Sequence, residues 1–362
     1  MKRSILTFIL ILILISFCSI SGYCDEYDTL WENTDEQTKE YLTEIGINEL
    51  NFDELFELSP TRVIRFLLNL ALNKGLNVTR YLIKILSVLL ISAIATSFLK
   101  ENQSLNNVVS LTGTLIIISF LIEPISRILM DVTVGIKNSA VFIDLSLPII
   151  TSIIIATRNP TLALTYNSFS IYLSVIISTL ADKIIVPVAS SMLSFVVLSS
   201  FSEEDYKTKL LTSVRKMIIM IISFFSTIYT GVLTTKSILA TSSDSVTIRG
   251  IKFISGTFIP IVGGNVADAL SSVFSSFIMM KNTLGVFIIV VIILINLPII
   301  IEMLLWYFVL QLCSIISSLL GTRYITEIFE NFSTIISLLN IVMFFITFIL
   351  VITTGVVIMF GK

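Results

Sequence analysis

The chain of 362 residues is 55% apolar and only 13% charged, with a mean hydropathy of +0.98. Soluble domains carry about 25% charged residues, so this chain has too few charges to coat a water-facing globule, and its net charge of −2 gives nucleic acid no footing as a partner. Histidine is absent, which excludes Ser–His nucleophile pairs and histidine metal sites, and no sequence feature calls for a cofactor.

The chain opens with the pattern of a secretory signal peptide over residues 1–24. Met1–Arg3 is basic, Ser4–Ser16 is an Ile/Leu-rich core, and Gly22-Tyr23-Cys24 offers small residues for cleavage. Cys18 and Cys24 fall in this segment, so Cys313 is the cysteine left to a mature chain, where an apolar run marks it as a small hydrophobe.

Residues 25–58 invert the character: from Asp25 to Glu57 twelve carboxylates are opposed by Lys39 alone. Lys and Arg hold loops in the cytoplasm, so this acidic segment is expected on the other side, as a docking element for a partner or as a solvated tail. Ser59-Pro60 then reads as an N-cap followed by a first helical residue. Val63, Phe66, Leu67, Leu70 and Ala71 recur at helical steps, with Arg62, Arg65, Asn69 and Asn73 opposite them. The pattern predicts an amphipathic interfacial helix over 59–81.

Residues 82–362 read as a multi-span membrane domain. Apolar stretches fall at Leu82–Leu99, Val108–Leu129, Val141–Thr157, Leu162–Ser200 (two spans meeting near Asp182-Lys183), Met217–Thr235, Leu284–Leu320 (two spans broken near Pro298 and Glu302) and Ile335–Met359. The fold class expected is an all-α, polytopic transmembrane helix bundle of seven to nine spans. The basic loop Ser202–Lys216 is placed in the cytoplasm. Pro124, Pro148, Pro187, Pro260 and Pro298 lie inside the spans and predict kinked or discontinuous helices, which lipid tolerates only where the freed backbone groups find partners.

A weak internal repeat, 135–200 against 250–310, is suggested by Gly135-Ile136-Lys137 and Gly250-Ile251-Lys252, then Pro148 and Pro260, then Pro187 and Pro298. Their offsets are 115, 112 and 111 residues. Chance matching in Ile/Leu-rich sequence is its rival, and repeats with broken helices recur in transporters.

Polar stripes at helical spacing run through the apolar helices: Asn167, Ser170, Ser174, Ser178, Asp182; then Ser223, Thr227, Thr230, Thr234; then Asn265, Asp268, Ser272, Ser275. Such stripes either pack helices against each other or face a polar pathway. Ionisable residues inside a bilayer are costly and mark a function or a paired partner, which makes Glu123, Asp144, Asp182, Asp268 and Glu302 the candidate pathway residues. Pro260, Gly263 and Gly264 join them as a hinge, because Gly256–Gly285 reads as a re-entrant or interfacial hairpin with its turn at the glycine pair.

In this block the chain resembles the stage III sporulation protein AE family of endospore-forming bacteria. The resemblance rests on Phe258-Ile259-Pro260-Ile261-Val262-Gly263-Gly264, Ala267-Asp268-Ala269, Lys281-Asn282 and Gly285-Val286-Phe287, and elsewhere on the overall plan alone. It implies a non-enzymatic component of the channel or secretion-like complex between mother cell and forespore, in the mother-cell membrane around the forespore and needed for forespore development. The implied partners are the other stage III A membrane proteins, their cytoplasmic ATPase, and a forespore membrane protein met across the intermembrane space.

Two readings from other classes stand beside it. One is a secondary transporter of a small solute, supported by the repeat and the lone carboxylates. The other is an intramembrane aspartyl enzyme using two of Asp144, Asp182 and Asp268, which the absence of a Gly-x-Gly-Asp context weakens.

Overall fold

The computed structural model describes residues 30–32, 34–48, 54–55, 59–99, 103–199, 206–258 and 263–360, with the backbone alone described at 103, 199, 206–208, 244–258, 263–274 and 357. The signal segment 1–24 and the turn 259–262 of the expected hairpin, Pro260 included, lie outside the described residues. Among the described residues the chain is helical, without strands.

The first helix, α1 (Glu36–Ile45), is set by its ends. Asp35 accepts a hydrogen bond from the Thr38 amide at 3.0 Å and from the Thr38 hydroxyl at 2.7 Å. At the other end Gly46 adopts φ +100°, while the Ile47 amide donates back to the Leu42 carbonyl at 2.8 Å and the Gly46 amide to Thr43 at 3.0 Å. This Schellman closure needs the left-handed conformation that glycine adopts without strain. The Arg62 guanidinium occupies the space a Cβ at Gly46 would take, beside the negative end of the helix dipole.

Leu42, Ile45 and Ile47 are buried, and Tyr41 meets the Phe66 ring edge-on at 5.4 Å. Glu36, Glu40 and Glu44 face outward. In its described part the acidic segment contains an ordered helix, with the charges on its outward face and its other face docked.

Helix α2 (Pro60–Phe98) joins the expected interfacial helix and the first span without a break. Ser59 caps it in extended conformation with Pro60 at its start, as the sequence predicts, but the Ser59 hydroxyl bonds Thr61 Oγ1 at 2.6 Å instead of a helix amide. Phe66, Leu70, Val78, Ile85, Leu89 and Ser92 form its buried seam.

Helix α3 (Gln103–Ala156) contains both the second and third expected spans, with Pro124 and Pro148 inside it rather than at its ends. Its 54 residues extend over about 80 Å at ~1.5 Å per residue, against a hydrocarbon core of about 30 Å. The stretch 162–200 is α4 (Pro160–Leu180) and α5 (Val186–Ser199), joined by one wide π turn at Ala181–Ile185. That turn falls on Asp182-Lys183, where the sequence places the junction. Helices α6 (Tyr206–Phe258), α7 (Gly263–Leu319) and α8 (Arg323–Phe360) complete the chain, and Pro298 lies inside a continuous α7.

Six helical stretches are long and apolar enough to cross a membrane: Pro60–Phe98, Ser104–Ala156, Pro160–Leu198, Lys209–Ser243, Ser275–Leu319 and Arg323–Phe360. Every apolar stretch read from the sequence falls in one of these six, because prolines expected to divide spans are carried within helices.

The α7–α8 pair is a tight antiparallel hairpin. Its turn is tied by the Ser317 and Thr322 hydroxyls at 2.7 Å, with Thr326 donating to Ser317 at 2.9 Å and Gly321 at φ +76°. Contacts step forward on one helix and backward on the other: Gln311 with Ser333, Asn340 with the Ile300 carbonyl, Lys281 with the Ile358 carbonyl. Trp306, Phe287, Phe329 and Phe332 are buried side chains of this hairpin.

In α3, α7 and α8 the most apolar window is 56, 50 and 50% buried, against 17% in α2 and α6. The first three are therefore the core and the other two its flanks. Gly135 lets α3 close on it: a Cβ there would sit 2.5 Å from Ile299 Cδ1 and 2.9 Å from Met343 Cε.

Gly135→Leu should force α3 away from α7 and α8 and cost about 2–3 kcal/mol by overpacking. A lowered thermal midpoint of the detergent-solubilised protein checks this, with Gly231→Leu, whose surroundings are open, left near wild type.

Candidate functional site

The polar groups that a bilayer penalises most gather on α3 and on what packs against it. From its N-terminal half onward α3 carries Glu123, Arg127, Asp131, Lys137, Asn138, Ser139 and Asp144. Glu123, Arg127 and Asp131 share one face at steps of four, while Lys137, Asn138, Ser139 and Asp144 turn toward other neighbours, so these groups serve several contacts rather than one.

Glu302 of α7 accepts a hydrogen bond from Lys74 Nζ of α2 at 2.6 Å, with side chains 19% and 30% exposed. One turn along the same interface Trp306 packs on Tyr81, ring centroids 5.5 Å apart. Asp131 of α3 lies within the electrostatic reach of Glu302, Lys74 and Arg127. Lys74 thus serves as the cation at a meeting of three helices that bring two carboxylates.

Asp35, Thr38 and Tyr41 of the α1 region join Lys74, Asp131 and Asn138 around a polar cavity of about 190 Å³, closed on the α7 side by Leu294 and Pro298. Pro298 has no N–H to give the carbonyl four residues back, so the Leu294 carbonyl lacks its ladder donor. Next to the cavity wall, buried Asn296 donates to Ser139 Oγ and to the Ile292 carbonyl, each at 2.8 Å, while its Oδ1 has no hydrogen-bond partner. Ser139 itself donates to the Gly135 carbonyl at 2.9 Å.

Two more of the predicted carboxylates bind across α3 and α4–α5. The Ser174 hydroxyl donates to Asp144 at 2.7 Å, and Lys137 pairs with Asp182 in the π turn at 2.8 Å. Asp182, not held by adjacent Lys183, also borders an open groove of about 660 Å³ between α3 and α5, with Ser126, Thr133, Ser190 and Ser194 on its walls. The first polar stripe therefore packs helix against helix: Ser170 and Ser174 are buried on it. The second is only half-covered, and Thr227 on it bonds its own helix at Ser223.

Glu123 stands apart. It pairs with Arg127 at 2.7 Å, one turn on in the same helix, and both are more than half exposed. The i,i+4 spacing made this partner legible in the sequence. Gly263 and Gly264 begin α7 and Asp268 lies in its second turn, but the Asp268 side chain, like most of the third stripe, lies outside the described residues.

Of the eight predicted residues, the structure places Glu302 on Lys74, which lines the polar cavity, Asp182 at the groove between α3 and α5, and Asp144 in a cross-helix bond. Lys74, Asp131, Asn138 and Asn296 were missed. Each sits in a stretch that reads as ordinary amphipathic or apolar helix, and only packing reveals what it faces.

Among the described residues no three His, Cys, Asp or Glu side chains group as metal ligands. Asp144 and Asp182 each bond a partner on another helix, not one another. The arrangement can hold long helices in register around polar space.

Fold and site together define a polytopic α-helical membrane protein whose interior charges are matched across helices. The chain belongs to the family described as Stage III sporulation protein AE, which it matches over residues 44–361. It is 29% identical over 156 residues to the Stage III sporulation protein AE of Bacillus subtilis (strain 168), a match covering 42% of this chain and 39% of that relative, or about two fifths of its length. No solved structure matches. The chain is accordingly a stage III sporulation membrane protein.

Of the residues that carried the family resemblance, Lys281, Gly285 and Phe287 pack at one end of the α7–α8 hairpin. Lys281 is fully buried and donates to the Ile358 carbonyl at 3.4 Å, Ile358 fills the space beside Gly285, and buried Phe287 packs on Trp31 at 6.1 Å.

Lys74→Met should destabilise the solubilised protein by about 2 kcal/mol, between the values for surface and fully buried pairs. Lys74→Met with Glu302→Met should recover part of that loss. A double-mutant cycle by thermal or denaturant unfolding measures the coupling; strictly additive losses would show that the pair contributes nothing.

Proposed function

We propose that this chain is the membrane-embedded, permease-like part of a channel or secretion-like complex between mother cell and forespore, acting without enzymatic chemistry of its own. The observation that carries this is the polar space inside the helix bundle. A cavity bordered by Asp131 of α3 and a groove bordered by Asp182 of the π turn persist where a bundle built only for anchoring would close apolar side chains together. Matching charges across helices costs specificity in sequence, and intramembrane ionisable groups mark transport pathways or paired partners.

On this reading the protein sits in the mother-cell membrane surrounding the forespore. It assembles with the other stage III A membrane proteins and their cytoplasmic ATPase, and it meets a forespore membrane protein across the intermembrane space. The outward carboxylates Glu36, Glu40 and Glu44 of α1 supply a charged surface for such a contact on the extracytoplasmic side. Asp144, Asp182, Asp268 and Glu302 belong to the pathway helices; Pro260, Gly263 and Gly264 form its hinge, and Glu123 marks its edge.

A secondary transporter of a small solute is the second reading. It is favoured by one feature, the Lys74–Glu302 pair beside Asp131 and the proline-freed carbonyl of Leu294. Half-helix carbonyls and lone carboxylates are the coupling groups of such transporters.

Deleting the gene in its spore-forming host separates the two. The complex component predicts arrest of forespore development, a fall of several orders of magnitude in heat-resistant spores, and co-purification with sporulation-specific membrane proteins, with solute uptake in growing cells unchanged. Solute uptake by the purified protein alone in liposomes, abolished by Glu302→Gln, would instead establish the transporter.

A further inference from the structure

Helix α2 presents a surface that neither the bundle nor the proposed complex accounts for. Arg62, Arg65, Asn69, Asn73, Asn77, Arg80 and Lys84 follow one another at steps of three and four, and all seven are exposed. They form a polar stripe about 33 Å long at ~1.5 Å per residue. No Asp or Glu occurs anywhere between Pro60 and Phe98.

Arg62 is engaged over Gly46, but Arg65, Arg80 and Lys84 have no carboxylate partner among the described residues. Flanking the stripe runs an apolar row at steps of four, Ile64, Leu68, Leu72 and Leu76, each 56–66% exposed. The Lys84 ammonium lies 5.3 Å from the Tyr81 ring and 6.0 Å from the Phe120 ring.

We propose that this stripe is a binding surface for anionic phospholipid. At 39 residues, α2 is about twice the length needed to cross the hydrocarbon core. About half of it therefore reaches past the core, and the polar stripe and the apolar row beside it are both left uncovered. A phospholipid supplies what both lack: a phosphodiester for the unpaired guanidinium and ammonium groups and the asparagine amides, and acyl chain for the leucine row beside them. An acidic protein segment answers the charges but leaves the leucine row exposed. Basic amphipathic helices with an aromatic-flanked lysine lie at membrane surfaces for this reason, and each basic residue near an anionic surface contributes roughly fivefold in affinity, or about 1 kcal/mol. The inference is independent of the channel reading, because it needs only α2.

The test uses the purified full chain in neutral detergent, with thermal midpoint and retained lipid read together. Adding phosphatidylglycerol should raise the midpoint more than phosphatidylcholine, and the difference should shrink as salt is raised. Phosphatidylglycerol should also be enriched among the lipids that co-purify. The triple variant R65Q/R80Q/K84Q should lose this preference, by up to on the order of 100-fold in affinity, while R65K/R80K/K84R keeps most of it.

Arg62 is left in place so that α1 stays docked. If the triple variant does not fold, the charge-keeping variant and the salt dependence of the wild type decide. Equal stabilisation by both lipids would overturn the proposal. So would a triple variant that keeps the lipid preference but no longer captures partner proteins, which would make the stripe a protein interface.

Discussion

A hydrocarbon interior offers no water to a buried charge or an unbonded backbone group, and the arrangement of this protein follows from that penalty. Each helix can satisfy its own ladder, but the side chains of Asp144, Asp182 and Glu302 cannot be satisfied within their own segments. Their partners, Ser174, Lys137 and Lys74, come from other helices. The matching fixes register. A helix that slid by one turn would move a carboxylate about 5.4 Å from its partner and strand both. Small residues do the complementary work, since Gly135 lets α3 approach Ile299 and Met343 closely enough for Ser139 to reach Asn296.

The same penalty explains why the prolines do not end the helices that contain them. Pro124, Pro148 and Pro298 each remove one hydrogen bond, but ending a helix would expose several unpaired groups at once. Keeping the helix and losing one bond is the smaller cost. At Pro298 the break in the ladder lies beside polar space, since Leu294 and Pro298 line the cavity with Asp131 and Asn138. At Pro187 the disturbance lies just past the wide turn Ala181–Ile185, which re-aims Asp182 toward Lys137. Strain, polarity and open volume thus coincide along α3, the helix that touches most of the others.

The soluble side of the molecule follows a different rule. Helix α1 is held by caps at both ends and by Leu42, Ile45 and Ile47 beneath it, so a segment with twelve carboxylates nonetheless contains a docked helix. Charge counts alone left a docking element and a tail both open. The spacing of Thr38, Leu42 and Ile45, with Gly46 to stop the helix, is an amphipathic signal that the density of acids obscured.

The sequence by itself determined the membrane class, the helical fold, the positions of the apolar stretches and the family. These depend on composition, on a period of 3.6 residues and on a contiguous motif, all of which are local. It also singled out carboxylates whose burial would be costly, because that cost belongs to the residue type. The partners were a matter for tertiary structure alone: that Glu302 meets Lys74, 228 residues away, and that Asp182 takes Lys137 instead of adjacent Lys183. Pairing is a property of which helix faces meet, and in an Ile/Leu-rich chain many faces are equally apolar and none announces its neighbour. Whether a proline divides a helix was likewise decided by packing, since neighbouring helices shield the one bond it removes.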